Sequence, residues 1–123
     1  MEKYDDAERV HREAIAIRRE LVRANGLDTG SALDLADSLN NLAGVLRYRD
    51  NDARASRGDR TSPSGSESVW DEIESLVGES SRLRTKALKP DHPLVLQSQL
   101  NVANIMFDRG KAAEAVALYE ATL

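Results

Sequence analysis

Apolar residues recur along this chain at spacings of three and four in five separate stretches, with polar residues between them. That period marks helices that each bury one face, because about 3.6 residues complete a turn. The first stretch runs from Lys3 to Arg23, with Ala7, Val10, Ala14, Ile17 and Leu21 on one stripe. The second runs from about Ala32 to Tyr48, with Leu35, Leu39, Leu42 and Leu46. Trp70 opens the third, which continues through Ile73, Leu76, Val77, Leu83 and Ala87-Leu88; Gly78-Glu-Ser-Ser81 weakens its middle and predicts a kink or a frayed turn there. Val95, Val102, Ala103 and Met106 form the fourth stripe, and Ala115, Leu118, Tyr119 and Thr122 the fifth.

The residues between stripes supply the boundaries. Asn25-Gly26 stops the first helix, and Asp28 to Ser31 forms a loop. Arg49 to Ser68 has only two alanines among its hydrophobic residues, which predicts a mobile insertion loop at 49–68. Lys89-Pro90-Asp91 breaks the third helix. Pro93 suits a first helical position, where its missing N–H needs no partner, so Asp91 or His92 flanks that start. Gly110 is free to take the left-handed conformation that closes many helices. So short a connection makes the last two helices antiparallel neighbours, with Ala103 and Ala115 letting their backbones approach. The fold class is all-α, with five helices in a single domain over residues 1–123.

Composition narrows the functions. Aromatics are only 4% of the 123 residues, so the core is aliphatic. Charged residues make up 31% and the net charge is −4, which argues against a nucleic-acid-binding surface. No apolar run approaches the roughly 20 residues of a membrane helix, and the acidic start MEKYDDAERV is no signal peptide. Cysteine is absent, which excludes disulfides, thiolate metal sites and thiol catalysis and fits a reducing, cytoplasmic setting. The carboxylates pair with no nucleophile or metal set, and no glycine-rich phosphate loop occurs, so neither an enzyme nor a cofactor or metal site is expected. Asp5 with Arg9, and Glu8 with Arg12, read as acid-before-base pairs on the solvent face of the first helix. His11 is a packing residue, His92 lies in a linker without a His or Cys companion, and Arg60-Thr-Ser-Pro63 is a weak phosphorylation motif.

The helices also repeat. Asn41-Leu-Ala aligns with Asn101-Val-Ala at a shift of 60 residues, Trp70-Asp-Glu-Ile with Ala112-Ala-Glu-Ala at 42, and Lys3-Tyr-Asp-Asp-Ala with Lys111-Ala-Ala-Glu-Ala at 108. One half-unit thus recurs at 66 and then at 42. The 24-residue surplus divides into 18 within the Arg49–Ser68 stretch and 6 around Asn25–Ser31. Self-similarity of this kind belongs to stacked helical solenoids.

Three motifs carry a family resemblance: Ala87-Leu-Lys-Pro-Asp-His-Pro93, Ser38-Leu-Asn-Asn-Leu-Ala43 and Gly110-Lys-Ala-Ala-Glu-Ala115. They resemble, in turn, the linker, first-helix signature and second-helix start of the tetratricopeptide repeat, in the 42-residue form of kinesin light chains. The sequence departs from that pattern at Ala112, Gln99 and Ile73. The resemblance implies a right-handed α-α superhelix of about two and a half repeats. The chain then begins and ends on a second helix, as a fragment of a longer array or a chain that self-associates through its uncapped ends. It also implies an interaction scaffold that binds a protein or peptide partner in a concave groove lined by first helices. The residues matching groove positions are Asn40, Asn41, Arg47, Asn101 and Asn104, with Asp37 and Asp108 nearby. An Asn amide both donates to and accepts from a peptide backbone, and Arg47 suits an acidic ligand residue. These residues could instead cap turns or bond within the stack. The alternative function is a structural or sensor segment of a larger, NTPase-linked signalling protein.

Overall fold

The computed structural model describes residues 2–25, 29–56 and 67–122. They form five helices: α1 (Glu2–Asn25), α2 (Thr29–Ser56), α3 (Glu67–Ala87), α4 (Pro93–Asp108) and α5 (Ala112–Thr122). Among the described residues there is no strand. Backbones approach closely only between helices consecutive in sequence, so the chain builds by adding one helix at a time to the edge of the last. It is an all-α repeat fold.

Helix α2 is the centre of the core. Its four predicted leucines are all buried, and they meet Ile15 of α1, Trp70, Ile73, Leu76 and Val77 of α3 and Ile105 of α4 in one cluster. Each such side chain contributes about 1.5–3 kcal/mol when fully buried. This aliphatic seam, with Trp70 as its one buried aromatic residue, is the main source of cohesion.

The connection from α4 to α5 shows how the local sequence sets the geometry. His92 caps α4, its Nδ1 accepting from the Leu94 N–H at 3.0 Å, and Pro93 takes the first turn. At the other end Gly110 adopts φ 83°, which a Cβ would strain. The Gly110 N–H then donates to the Phe107 carbonyl at 3.0 Å, and the Lys111 N–H to the Met106 carbonyl at 2.9 Å. These two bonds satisfy carbonyls that the helix end would leave open. The chain reverses at once, and Ala103 and Ala115 are both fully buried.

Five expectations are corrected. The insertion loop at 49–68 is not a loop over 49–56, which extend α2, nor at 67–68, which begin α3. The polar residues there find lateral partners. Arg49 pairs with Glu8 and lies 3.6 Å from Asp5, Asp52 accepts from the Tyr4 hydroxyl, and Asp50 accepts from the Trp70 indole N–H at 2.8 Å. Residues 57–66, including Arg60-Thr-Ser-Pro63, lie outside the described residues, as do Gly26, Leu27 and Asp28. Thr29 to Ser31, expected in a loop, form the first turn of α2.

Helix α3 is continuous through Gly78-Glu-Ser-Ser81. Those small residues seat it on α2, with buried Ser80 donating to the Ala36 carbonyl at 3.0 Å. The predicted stripe of α1 is not its core face. Ile15 enters the core and Val22 packs against it, whereas Val10, Ile17 and Leu21 are exposed. Nor do the charges on α1 simply face solvent. Arg12 bonds both Glu8, at 2.8 Å, and Glu72 of α3, while Asp5 meets Arg49 of α2.

Candidate protein-interaction surface

Two kinds of side-chain bond recur in register and define equivalent helices. Arg18 of α1 donates to the Ser38 hydroxyl of α2 at 2.5 Å and to the Asp34 carbonyl at 2.9 Å. Arg84 of α3 donates to the Ser98 hydroxyl of α4 at 2.7 Å and to the Asp37 carboxylate at 2.9 Å. The serines are 60 residues apart and the arginines 66, the two offsets at which the sequence aligns with itself. Helices α1 and α3 also run parallel, since Arg12 holds Glu72 through two bonds of 2.8 and 3.0 Å and Arg19 holds Glu79 at 2.6 Å, one rung seven residues after the other. Helices α2 and α4 are therefore the equivalent first helices of successive hairpins.

Between α2 and α4 lies a shallow cavity of about 160 Å³. Asn40, Gly44 and Arg47 line it from α2 and Asn101 and Ile105 from α4, with Val77 of α3 beside them. A Cβ built at Gly44 would meet nothing within 4 Å, so the absent side chain leaves open space. Arg47 donates to the Asp108 carboxylate at 2.6 Å, which ties α2 to the C-terminal end of α4.

The sequence-predicted residues separate into two groups. Asn40, Arg47 and Asn101 come together at the cavity, with Asp108 bonded to Arg47. The other three do not. Asn104 accepts from the Tyr119 hydroxyl inside the α4–α5 hairpin, and Asp37 is engaged by Arg84. Asn41 is exposed away from the cavity. It holds on α2 the place that Asn101 holds on α4, but Asn101 faces α2 itself, and no described helix stands in that relation to α2.

Sequence reasoning passed over two contributors. A mid-helix glycine costs helix stability of about 0.5–1 kcal/mol relative to alanine, and Gly44 was the signal of an open wall. Arg109 is largely buried and donates to Asp71 at 2.8 Å and to Glu74 at 3.1 Å. Burial opposes its charge, but the hydrogen bonds it donates to both carboxylates outweigh it and hold the guanidinium above its usual pKa. At Glu8 burial likewise pulls the carboxyl upward, and hydrogen bonds from Arg12 and Arg49 overcome it, leaving the group below the usual carboxylate range. Among the described residues no cluster of metal-ligating side chains occurs, and no helix is long and apolar enough to cross a membrane.

The sequence profile of the tetratricopeptide repeat matches residues 1–25 and 95–123, which correspond to α1 and to the α4–α5 hairpin. In those two stretches the chain carries tetratricopeptide-repeat sequence. The intervening helices α2 and α3 lie outside the matched stretches, yet the Arg18–Ser38 and Arg84–Ser98 bonds bind them to the tetratricopeptide-repeat helices on either side. The chain matches no curated protein and no solved structure. Tetratricopeptide repeats generally mediate protein–protein interaction and are typically non-enzymatic.

Proposed function

We propose that this chain is a scaffold that binds an extended segment of a protein partner across the α2–α4 surface, with no catalysis of its own. The observation that carries this reading is the convergence of Asn40, Arg47 and Asn101 on one open cavity beside Gly44. The two amides offer paired donors and acceptors to an extended backbone. At about 160 Å³ the cavity is well below the roughly 300–1,000 Å³ of small-molecule sites, so it suits one side chain of a longer ligand. The Arg47–Asp108 pair adds a polar edge, where an acidic ligand residue competes for Arg47. The kinesin-light-chain-like spacing of the repeats supports a peptide as the ligand, and the cysteine-free composition supports a cytoplasmic one.

Gly44→Gln and Asn101→Ala test the proposal in a cytoplasmic pull-down followed by titration of the captured partner. Gln at 44 projects into the open space and raises helix propensity, so the protein stays folded while binding is lost. Asn101→Ala weakens binding without lowering the melting temperature by more than a few degrees. A partner retained equally by the wild-type chain and both variants overturns the groove.

A further inference from the structure

The face of α1 opposite α3 is apolar and uncovered, with Val10, Ile17 and Leu21 at 51, 63 and 48% exposure. Within the chain, α3 shows what covers such a face. At the 66-residue offset Leu76 corresponds to Val10, Leu83 to Ile17, Glu72 to Asp6 and Glu79 to Glu13. On α3 the two glutamates hold Arg12 and Arg19, and Leu76 lines, with Ile15 and Ala16 of α1, a cavity of about 280 Å³ between the two helices. Helix α1 thus covers α3 with two arginines seven residues apart and small or branched apolar residues between them.

We propose that the outer face of α1 binds a basic amphipathic helix from a partner protein, laid parallel to α1. Two Arg or Lys residues seven apart on that helix meet Asp6 and Glu13, and its intervening apolar residues cover Val10 and Ile17. This surface is separate from the α2–α4 groove and does not depend on it. The acidic pair is accessible, with side-chain exposures of 76% for Asp6 and 64% for Glu13. Arg9 marks the one departure from the α3 pattern, where Ser75 stands instead. It reaches Glu13 at 3.5 Å and Asp6 at 3.9 Å, long contacts that leave both carboxylates open to shorter bonds. A second copy docking through its last helix fits poorly. At the 108-residue offset Arg12 falls on Glu120, which would face Asp6 with like charge.

The probe is the 24-residue α1 segment itself, residues 2–25, as a labelled synthetic peptide with blocked ends, because it carries the Arg12–Arg19 spacing that covers α3. Titrated with the full chain, it binds. Asp6→Lys with Glu13→Lys in the protein weakens that binding about tenfold, a value set by two exposed ion pairs turned repulsive. Arg9→Ser tightens it about two- to threefold, and a peptide carrying Arg12→Glu and Arg19→Glu does not bind. Asp6, Arg9 and Glu13 are exposed, and circular dichroism verifies that every variant, including the half-buried Glu72 and Glu79 pair, stays folded. The proposal is overturned by absence of binding. It is equally overturned if binding ignores Asp6→Lys/Glu13→Lys but is lost with Glu72→Lys/Glu79→Lys, because the peptide then displaces α1 from α3. Dimerisation of the chain alone, abolished by Asp6→Lys, assigns the face to a second copy and also overturns it.

Discussion

Replacing Arg84 tests the repeated arginine–serine bond where it is most deeply buried. The Arg84 side chain is 6% exposed, while its partner Asp37 is 59% exposed and Ser98 is buried. Truncation to Ala therefore costs little at Asp37, which returns to water, since exposed pairs contribute about 0–1 kcal/mol. The larger losses are elsewhere. Ser98 loses a buried partner, at about 1–3 kcal/mol. Two buried methylenes of the stem disappear, at about 0.8 kcal/mol each. The sum is about 3–5 kcal/mol, or roughly 10–20 °C of melting temperature for a domain of this size. Arg84→Met gives a different result. It keeps the buried stem but leaves Ser98 unpaired as Ala does, so it costs about 1.6 kcal/mol less than Arg84→Ala, the worth of the two methylenes. Arg18→Ala, at the half-buried equivalent position, costs about 1 kcal/mol. Urea and thermal melts followed by circular dichroism read all three. The reasoning is refuted if Arg84→Ala lies within 1 kcal/mol of wild type, or if Arg84→Met is as damaging as Arg84→Ala.

Gly44→Ala raises stability by about 0.5–1 kcal/mol, because the new methyl meets open space in mid-helix; a drop in melting temperature contradicts it. Trp70→Phe removes the indole donor to Asp50, costs about 1–2 kcal/mol, and speeds amide exchange of residues 49–56 beyond that of residues 35–46. Glu8 is held below its unfolded pKa, so its contribution is present above the unfolded value of about 4.3 and is lost as pH falls through the folded one. Glu8→Gln accordingly lowers the melting temperature at pH 7 and flattens the decline between about pH 5 and 3.

Where one face of a helix was buried on both sides, the sequence showed it plainly. Leu35, Leu39, Leu42 and Leu46 are all in the core, as are Trp70, Ile73, Leu76 and Val77 on the facing helix. Helix α1 was misread because its apolar positions serve two directions. Ile15 and Val22 pack with the core, while Val10, Ile17 and Leu21 point away, and the predicted stripe followed the outward set and left out Ile15 and Val22. Residues 49–56 looked like a loop because composition counts polar residues without knowing their partners. Asp50 and Asp52 are polar because Trp70 and Tyr4 stand across from them. At the candidate site, helical periodicity placed Asn40, Arg47 and Asn101 on related helices. It could not tell that Tyr119 takes Asn104 and Arg84 takes Asp37, since those bonds depend on interhelical distances.

The central claim is that equivalent helices lie side by side at a fixed offset, and the Arg19–Glu79 rung measures it most directly. Charge reversal at each position, Arg19→Glu and Glu79→Arg, is combined in a double-mutant cycle and read by thermal melting. Each single reversal destabilises and the double variant recovers most of the loss, with a coupling of about 0.5–1 kcal/mol or more. Strictly additive losses would mean that α1 and α3 do not meet in this register, and the stacking of the repeats would fall with it.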